Sequence, residues 1–400
     1  MNQRYIRLQE PSYGENEIKD IINILRSTNV VMGEKTRQFQ DNWSKWIDIP
    51  YSTMVNSGSS ANLLMIQMFI SKNGKYRFKK GDEVLVPAVT WSTTLFPIIQ
   101  LGLNPVLVDV KDDTFNIDVK SCEKAITKRT KALFAVHLLG NPVNIDELTD
   151  FCNNNNLIFF EDCCEATGTM WNNKKIGTFG VASSFSFMFA HHISTIEGGV
   201  ICCKDELDDS IIKASRAHGW IREINEERRQ DVINNSEIDS ENFLFWDLGY
   251  NVRPTEISAI LGINELRRID KYVEIRNQNH EEYKKRLEPL NDKIQIQNLE
   301  DQKKSFRSSF SFGFFIKNTA KYPKRKVIEY LNYHRIESRT LLAGNLARHP
   351  FYSMYCETPK VNLINSDKIH HGGLYLPNHQ KINNEDINYI TDHLISFFSD

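Results

Sequence analysis

The sequence has none of the features that mark membrane, disordered or nucleic-acid-binding proteins. Its apolar runs fall well short of the roughly 18 residues that cross a bilayer, and its first residues, MNQRYIR, contain no apolar signal core. A formal net charge of −2, with Lys and Arg spread along 400 residues, gives no concentrated basic surface for nucleic acid. With 40% hydrophobic residues the chain can bury a large core, so we expect a globular cytoplasmic protein that catalyses a reaction or binds a small molecule.

Cysteines are few and are wrongly spaced for a structural role. Seven occur, two pairs of them adjacent (Cys163–Cys164 and Cys202–Cys203), and none forms a Cys-x2-Cys pair. This excludes a secreted disulfide framework and a zinc ribbon, and it favours free buried thiols. The sequence also has no repeat of fixed period and no low-complexity tract, which excludes solenoids and long linkers.

What the sequence does contain is an alternation of short apolar runs with helix-length segments. Runs such as residues 83–86, 105–109, 131–137 and 157–162 are bounded by turn residues and are typical of buried strands. A helical segment at residues 145–153 joins two of these runs into a βαβ unit. The pattern therefore predicts a mostly parallel sheet.

The pattern changes after about residue 255. Residues 259–287 are long, charged and helical, and we interpret them as one helix that bridges two domains. A strand-like run at residues 310–316 and a final helix at residues 385–397 follow. We therefore expect a large domain over residues 1–265 and a small α+β domain over residues 266–400.

A turn rich in small hydroxyl residues opens the first apolar helix. Residues 54–62, MVNSGSSAN, follow a short strand and lead into the apolar run LLMI. Backbone N–H groups at such a turn, a helix N-terminus and the hydroxyls of Ser59 and Ser60 form a cradle for a phosphate. A plain helix cap is the alternative interpretation of the same residues.

Two further side chains lie just beyond the carboxyl ends of strands, where open α/β sheets bind ligands. Asp162 ends one run, and its burial there would require a cation, such as the protonated ring nitrogen of a pyridine. Trp91 follows another run and can stack on a flat heteroaromatic ring. Taken singly, Asp162 can equally be a loop cap and Trp91 a core residue.

The most informative segment is SFSFMFAHHISTIEGG, at residues 184–199. It combines a strand-like run containing Ser186, the adjacent histidines His191 and His192, and a polar turn that closes on Gly198 and Gly199. Core packing alone does not explain this composition.

These four segments, in this order and spacing, resemble the sugar aminotransferase family of fold type I enzymes that depend on pyridoxal 5′-phosphate (PLP). The resemblance covers essentially the whole chain, with further landmarks at residues 87–94, 138–142, 216–220 and 248–254. It implies an α/β fold of the aspartate aminotransferase type, with a mostly parallel central sheet and a smaller C-terminal α+β domain.

The resemblance also implies the roles of individual residues and a homodimer with shared active sites, in which one phosphate contact comes from the partner subunit. The implied contacts are Ser59, Ser60 and Ser186 on the phosphate, Asn251 on the same phosphate from the partner, Trp91 on the ring face, Asp162 on the pyridine nitrogen, Glu165 near the phenolic oxygen, and His218 and Arg253 as candidates for the substrate. Glu165 departs from the family, which usually has a glutamine there. A carboxylate facing a phenolate repels it unless the two share a proton, so we expect coupled pKa values at Glu165.

The decisive departure from the family is His191. Alignment on Thr195, Glu197 and the two glycines, without a gap, places His191 where the family has the lysine that binds PLP as a Schiff base. Imidazole cannot form that bond, but it is a competent general base near neutral pH. The resemblance is to the lysine-less branch of the family, which dehydrates nucleotide-linked 4-keto-6-deoxyhexoses, and it implies GDP as the nucleotide.

We therefore expect a dehydratase rather than an aminotransferase. The aminated cofactor (PMP) would condense with the 4-keto sugar, and His191 would remove the C4′ proton while hydroxide leaves carbon 3. The released enamine would hydrolyse with loss of ammonia, and L-glutamate, by resemblance, would restore the amine. His192 is adjacent in a segment that we expect to be extended, so its side chain should face away from His191 and be structural.

One related class of enzymes is excluded, and two alternatives stay open. Lysine-less relatives that act on CDP sugars use an iron–sulfur cluster, but the cysteines after His191 fit no cluster in number or spacing, so we expect no cluster and no metal. An aminotransferase could use Lys174 or Lys175 instead of the missing lysine. The chain could also be a non-catalytic protein on a decayed fold of this type, although such a protein would have no reason to keep the cofactor contacts.

Overall fold

The computed structural model describes residues 5–238 and 241–399. Residues 1–4, which belong to the N-terminal stretch without an apolar signal core, lie outside the described residues. The α-helices are α1 (Glu15–Ser27), α2 (Glu34–Ile47), α3 (Gly58–Ile70), α4 (Ser92–Gln100), α5 (Val119–Ala125), α6 (Ile145–Asn154), α7 (Glu206–Arg216), α8 (Glu226–Asn234), α9 (Glu256–Leu266), α10 (Ile269–Arg286), α11 (Lys324–Tyr333), α12 (Pro350–Tyr355), α13 (Ile364–Gly372) and α14 (Asn384–Ser399). The strands are β1 (Tyr51–Val55), β2 (Glu83–Pro87), β3 (Asn104–Val108), β4 (Thr130–Val136), β5 (Ile158–Asp162), β6 (Met170–Trp171), β7 (Lys174–Lys175), β8 (Ala182–Ser186), β9 (Gly199–Cys203), β10 (Ile294–Ile296), β11 (Ser305–Phe306), β12 (Phe312–Ile316), β13 (Arg339–Thr340) and β14 (Gly373–Leu376). Within the described residues, no helix is both long enough and apolar enough to cross a bilayer.

Seven strands form the central sheet, in the order β1-β9-β8-β5-β4-β2-β3. β9 runs antiparallel to both of its neighbours, and the other strands run parallel to one another. Helices cover both faces, so that Phe134 and Phe160 pack on one side and Leu133 and Phe159 on the other. This burial on both faces explains the continuous apolar runs in the sequence, and the predicted mostly parallel sheet is confirmed.

The parallel strands bring the four distinctive sequence segments to one edge of the sheet. β1 ends shortly before Ser57, β2 ends shortly before Trp91, β5 ends at Asp162, and β8 ends at Ser186. Because the carboxyl ends of parallel strands meet at the same edge, segments far apart in sequence converge there.

A second sheet contains four strands in the order β10-β12-β14-β13, all paired antiparallel. Its own apolar core includes Phe312 and Phe314 of β12, Leu331 of α11 and Leu394 of α14. This sheet lies in the part of the chain where we expect the small α+β domain, and the domain boundary at residue 265 stays a prediction.

The interpretation of residues 259–287 as one long helix is wrong. α9 and α10 are separated by a turn at Arg267 and Arg268, in which the Arg268 N–H donates to the Glu265 carbonyl at 2.9 Å. The turn lets the Arg268 guanidinium pair with the carboxylates of Glu265 (2.5 Å) and Glu17 (3.2 Å). No glycine or proline marks this break, so the helical pattern runs through it in the sequence.

Candidate active site

A cavity of about 510 Å³ opens at the carboxyl edge of the central sheet. The central sheet provides one wall through the starts of α3 and α4, the end of β5 and the segment after β8. The second sheet provides the opposite wall through β13, the turn that follows it, and Tyr375 of β14. Its volume is that of a pocket for a cofactor-sized ligand.

The wall that the central sheet provides includes a tight turn at the N-terminus of α3. Ser57 caps this helix, because its Oγ accepts a hydrogen bond from the Ser60 N–H at 3.1 Å. A Cβ at position 58 would lie 2.5 Å from the Cβ of Ser186, so only glycine fits between the turn and β8. Backbone at this turn can therefore approach a ligand closely, as a phosphate cradle requires.

The three serines predicted to contact a phosphate are not equivalent in the structure. Ser59 and Ser186 line the cavity, and the Ser59 hydroxyl lies 2.8 Å from Thr93 Oγ1. The Ser60 hydroxyl instead donates to Asn56 Oδ1 at 2.6 Å, and Ser60 does not line the cavity. Of the three serines, Ser59 and Ser186 therefore lie on the cavity, and the contacts of all three with a phosphate stay predictions.

Asp162 is buried at the end of β5, where three donors hold its carboxylate. Oδ2 accepts from Asn62 Nδ2 at 3.0 Å and from Thr94 Oγ1 at 2.8 Å, and Oδ1 accepts from the Cys164 N–H at 3.0 Å. Ser184 Oγ donates to Asn62 Oδ1 at 2.6 Å, which directs the amide nitrogen of Asn62 toward Asp162. A carboxylate has about four lone-pair positions, so Asp162 can still accept one cationic N–H.

Trp91 lies immediately before α4 and lines the cavity, yet it is 53% exposed. A core tryptophan would be covered by protein, so this ring keeps a surface on which a flat ligand can stack. The alternative that Trp91 is a core residue does not hold for this chain.

Glu165 lies in the same cavity and accepts the Leu139 N–H at 2.9 Å. Burial raises the pKa of Glu165 to about 8, the charge of Asp162 acts in the same direction, and the Leu139 hydrogen bond opposes the rise. At neutral pH Glu165 is therefore a protonated carboxyl group, which can donate a hydrogen bond to a phenolate oxygen instead of repelling it.

His191 is buried in the cavity wall beyond β8. Its Nδ1 lies 2.5 Å from the Cys164 carbonyl oxygen, which can only accept, so Nδ1 carries the proton and Nε2 keeps a lone pair. Burial lowers the pKa of His191 to about 4, although the Cys164 hydrogen bond and the Asp162 charge favour the protonated form. The residue in the lysine position is thus a neutral imidazole of fixed tautomer with a lone pair on Nε2, although its burial makes it a weaker base than an exposed histidine.

His192 does not share this environment. We expected this segment to be extended, but it forms a turn in which the His191 N–H donates to the Met188 carbonyl oxygen at 2.9 Å. The His192 side chain is nevertheless directed elsewhere: it is buried outside the cavity, with Nε2 3.0 Å from the Ser308 carbonyl oxygen. A structural role for His192 stays a prediction.

Three of the predicted site residues lie away from this cavity within the described chain. Asn251 and Arg253 line a separate cavity of about 340 Å³, in which Arg253 Nε donates to Asn251 Oδ1 at 3.0 Å. His218 packs edge-on against Trp220 beside that second cavity, and its φ of 64° is left-handed. Within one subunit the structure therefore does not place Asn251 among the residues that line the first cavity, and its contact with a phosphate stays a prediction.

The alternative Schiff-base lysines also lie elsewhere. Lys174 and Lys175 form β7, where Nζ of Lys174 lies 5.4 Å from the centre of the Phe179 ring and Nζ of Lys175 lies 4.8 Å from that of Trp46. Among the cavity-lining residues of the described chain there is no lysine. None of the lining residues that the structure describes in this chain can therefore take over the covalent role of the missing lysine.

Among the residues that the structure describes, the one cluster of metal-ligand side chains does not include His191. Cys202 and Cys203 are successive residues of β9, so their side chains point to opposite faces of the sheet. His137 and Glu161 do lie together with Cys163 beneath the cavity. However, the Glu161 carboxylate already has four hydrogen-bond partners, which are His137 Nε2 at 3.1 Å and three backbone N–H groups of residues 177–180. This cluster is a hydrogen-bonded support for β5.

Sequence reasoning missed the wall that the second sheet contributes. Arg339, Thr340 and Tyr375 line the cavity, and the Phe310 ring lies 5.2 Å from the His191 ring, centre to centre. β13 is only two residues long, and no motif surrounds it. Such residues reach the site through tertiary packing, which leaves no local signal.

A parallel sheet whose carboxyl edge offers a phosphate turn and a buried aspartate to one cavity is the architecture of the fold type I PLP-dependent enzymes. Within that class the chain belongs to the DegT/DnrJ/EryC1/StrS aminotransferase family, whose model matches residues 11–395. The family resemblance and the fold class inferred from the sequence are both confirmed.

Similar proteins point to one branch of this family. The GDP-4-keto-6-deoxy-D-mannose 3-dehydratase of Escherichia coli O55:H7 is 37% identical over 388 residues, covering 96% of this chain and 98% of its own. A structure of the E. coli enzyme of that name with bound hydrated PLP superimposes with a TM-score of 0.91 at 36% identity, covering 98% of this chain and 99% of that chain. A crystal structure of a GDP-4-keto-6-deoxymannose-3-dehydratase with a trapped PLP-glutamate geminal diamine has a TM-score of 0.87 at 35% identity and covers 97% of this chain and 100% of that chain.

Proposed function

We propose that this chain is a PLP/PMP- and L-glutamate-dependent 3-dehydratase of a nucleotide-linked 4-keto-6-deoxyhexose, with GDP-4-keto-6-deoxymannose as its substrate and the 3-deoxy-4-keto sugar as its product. Relatives of that name, matched over nearly their whole length, support the substrate. The observation that carries the proposal is His191: a neutral imidazole of fixed tautomer occupies the position of the Schiff-base lysine in a cavity that Ser59, Trp91, Asp162, Glu165 and Ser186 also line.

The residues of the cavity fit PLP without a covalent bond. The α3 backbone with Ser59 and Ser186 would hold the phosphate, and Trp91 would cover one face of the ring. The free lone-pair position on Asp162 would accept the pyridinium N–H, and the protonated Glu165 would donate to the phenolic oxygen. Because no lysine holds the cofactor, we expect it to dissociate on dilution.

When bound, the cofactor supplies an electron sink and, in its amine form, the nitrogen that condenses with the sugar's 4-keto group. The protein supplies the proton transfer. His191 Nε2 can take a proton without first losing one, because the residue is neutral at physiological pH. The Cys164 carbonyl keeps the imidazole in that orientation by accepting the Nδ1 proton, and it stabilises the imidazolium that forms.

The reaction balances only with an amino donor. Replacing the 3-hydroxyl by hydrogen is a two-electron reduction, and oxidation of L-glutamate to 2-oxoglutarate and ammonia supplies those two electrons. One glutamate is therefore consumed for each sugar deoxygenated, and no external reductase or iron–sulfur cluster enters the balance. The adjacent cysteines of β9, on opposite faces of the sheet, accord with this self-contained scheme.

We also propose a homodimer with shared active sites. Asn251 and Arg253 line a second cavity that lacks the cofactor contacts; Val31, which also lines it, is 74% exposed, and Leu248, three residues before Asn251 in the sequence, is 75% exposed. Exposed apolar residues beside a polar cavity are typical of a surface that a partner covers. In such a dimer Asn251 would reach the partner's phosphate, with Arg253 and His218 as candidates for the substrate.

The test is an incubation of the purified chain with PLP, L-glutamate and the GDP-linked 4-keto-6-deoxyhexose, followed by mass spectrometry. We expect a sugar nucleotide that has lost one oxygen atom, with 2-oxoglutarate and ammonia in equal amounts. The CDP-linked sugar serves as the comparison for nucleotide selectivity. A 4-amino sugar as the sole product would mean that the chain is an aminotransferase, and no uptake of PLP or PMP would favour a non-catalytic protein.

A further inference from the structure

A fully buried arginine lies where α10 meets the second sheet. Nη1 of Arg276 donates to the carbonyl oxygen of Phe310 at 2.8 Å and to that of Asn378. Among the residues that the structure describes, no carboxylate pairs with this guanidinium, and its Nε and Nη2 have no acceptor. Burial lowers the pKa of Arg276 to about 9, so the side chain is charged at neutral pH. Because no counter-charge offsets it, this buried cation acts strongly on its neighbours.

The neighbours of this charge are the two adjacent histidines. The Phe310 ring lies 5.2 Å from the His191 ring and 5.9 Å from the His192 ring, centre to centre. Burial is the main cause of the low pKa of both histidines, and the Arg276 charge lowers both pKa values further. Arg276 is thus linked to His191 in two ways, through the Phe310 segment that it binds and through its charge.

The proton balance of the proposed reaction gives this charge a role. His191 Nε2 takes a proton as the C4′–H bond breaks, and the hydroxide that leaves carbon 3 takes that proton up and departs as water. A base that held its proton firmly would favour the first transfer and oppose the second. A nearby cation destabilises the imidazolium form, so it favours release of the proton to the leaving hydroxide.

We propose that Arg276 is a positioning residue for the dehydration: it holds Phe310 against the His191 ring, and its charge favours transfer of the proton from His191 to the leaving hydroxide. The assignment rests on the proposed function, which supplies the leaving group. Arg276 itself lies outside the residues that line the cavity, so it acts through His191 and Phe310, which both line it.

Other ionisable side chains also face His191. They line both walls of the cavity and are Asp162, Cys164, Glu165, Glu197, Arg339 and Tyr375, and His192 is adjacent in the chain. Burial and the Arg276 charge destabilise the imidazolium form of His191, whereas Asp162 stabilises it. The Arg339 side chain is 62% exposed, so solvent screens its charge. Arg276 is therefore the cation whose charge acts on His191 from the interior.

Two substitutions separate the charge of Arg276 from its hydrogen bonds. Arg276→Lys keeps the charge, and Arg276→Gln keeps an N–H donor for the Phe310 carbonyl but removes the charge. Arg325→Met is the matched surface control, because Arg325 is 90% exposed on α11 and pairs with Glu329 at 2.7 Å. Circular dichroism checks that each variant is folded over the pH range used.

The first readout is the protonation of His191 in the full-length cofactor-free protein between pH 7 and pH 5. NMR of histidine-labelled protein follows each imidazole, and the His191 signal is assigned by its absence in His191→Asn, separately from that of His192. We expect His191 to stay neutral in wild type, Arg325→Met and Arg276→Lys. In Arg276→Gln its titration midpoint should rise from about 4 to about 5, the effect of removing one nearby charge.

The second readout is the dehydration of the GDP-linked sugar by the PLP-loaded protein with L-glutamate at pH 7. Arg276→Gln should lower kcat about three- to tenfold with little change in KM, because proton transfer and not sugar binding is affected. Arg276→Lys should restore most of the lost kcat. Phe310→Leu leaves the carbonyl that Arg276 binds but removes the ring beside His191, and it should lower kcat about tenfold at an unchanged KM.

The outcomes separate the possible failures. If folded Arg276→Gln shows the wild-type titration of His191, or if Arg276→Lys shifts it as much as Arg276→Gln does, the charge does not act on the base and the assignment is wrong. If Arg276→Gln does not fold, Phe310→Leu decides, because an unchanged kcat in that variant would overturn the assignment and the expected loss would support it. If wild type dehydrates no sugar while Arg276→Gln still shifts the His191 titration, the proposed function fails but the electrostatic link stands.

Discussion

The most specific physical prediction concerns the protonation of His191. Its pKa is lowered from 6.5 to about 4 because the ring is buried. The folded protein therefore binds a proton at His191 much less readily than the unfolded chain does. The Cys164 carbonyl fixes which nitrogen is protonated in the neutral ring. We therefore expect His191 to stay neutral down to about pH 5, where an ordinary histidine is charged.

The stability consequence follows from the direction of this shift. The neutral imidazole contributes fully above pH 6.5, and its contribution is lost as the pH falls from 6.5 toward 4. A shift from 6.5 to about 4 corresponds to a loss of about 2 kcal/mol between pH 7 and pH 5. His191→Asn is the matched variant, because an amide N–H can still donate to Cys164 while the side chain cannot titrate.

The assay is urea unfolding of the cofactor-free protein at a series of pH values between 7 and 5. The free energy of unfolding of wild type should fall relative to His191→Asn by about 2 kcal/mol over this range. The buried His280, whose pKa shift does not depend on His191, is present in both proteins, so its contribution cancels in the difference. A difference that stays constant from pH 7 to pH 5, or a His191 signal that titrates near 6.5 by NMR, would refute the reasoning.

Three further predictions concern the rest of the site. In wild type the free energy of unfolding should fall by up to about 4 kcal/mol as the pH rises from about 4.5 to about 8, because the folded protein favours the protonated Glu165. Glu165→Gln, which keeps an acceptor for the Leu139 N–H, should not show this fall when melts are compared across that range. Gly58→Ala should weaken PLP binding at least about tenfold in fluorescence titrations, because the added methyl group would lie 2.5 Å from a neighbouring Cβ; unchanged affinity would mean that the turn is not the cradle. When His191→Asn and Asn251→Ala subunits are mixed and allowed to reassociate, activity should return to about a quarter of the wild-type value at most if the sites are shared, because some hybrid sites contain both native residues. An absence of recovered activity would argue against shared sites.

Local sequence patterns were sufficient for the central sheet and for the residues at its edge. Buried parallel strands are continuous apolar runs, and the side chains that follow them converge by topology, so Asp162, Trp91 and Ser186 could be placed together from the sequence. The break between α9 and α10 could not be predicted, because arginines form it where glycine or proline would have marked it. Arg339 could not be found either, since its place depends on how the second sheet packs against the first.

The central claim is that His191 converts an aminotransferase site into a dehydratase site, and His191→Lys tests it most directly. Wild type and the variant are incubated with PLP, L-glutamate and the GDP-linked 4-keto-6-deoxyhexose, and the sugar nucleotides are identified by mass spectrometry. We expect a 3-deoxy product from wild type and none from the variant, whose lysine should instead hold PLP in a bond that borohydride reduces. Formation of the 3-deoxy product by His191→Lys at the wild-type rate would contradict it.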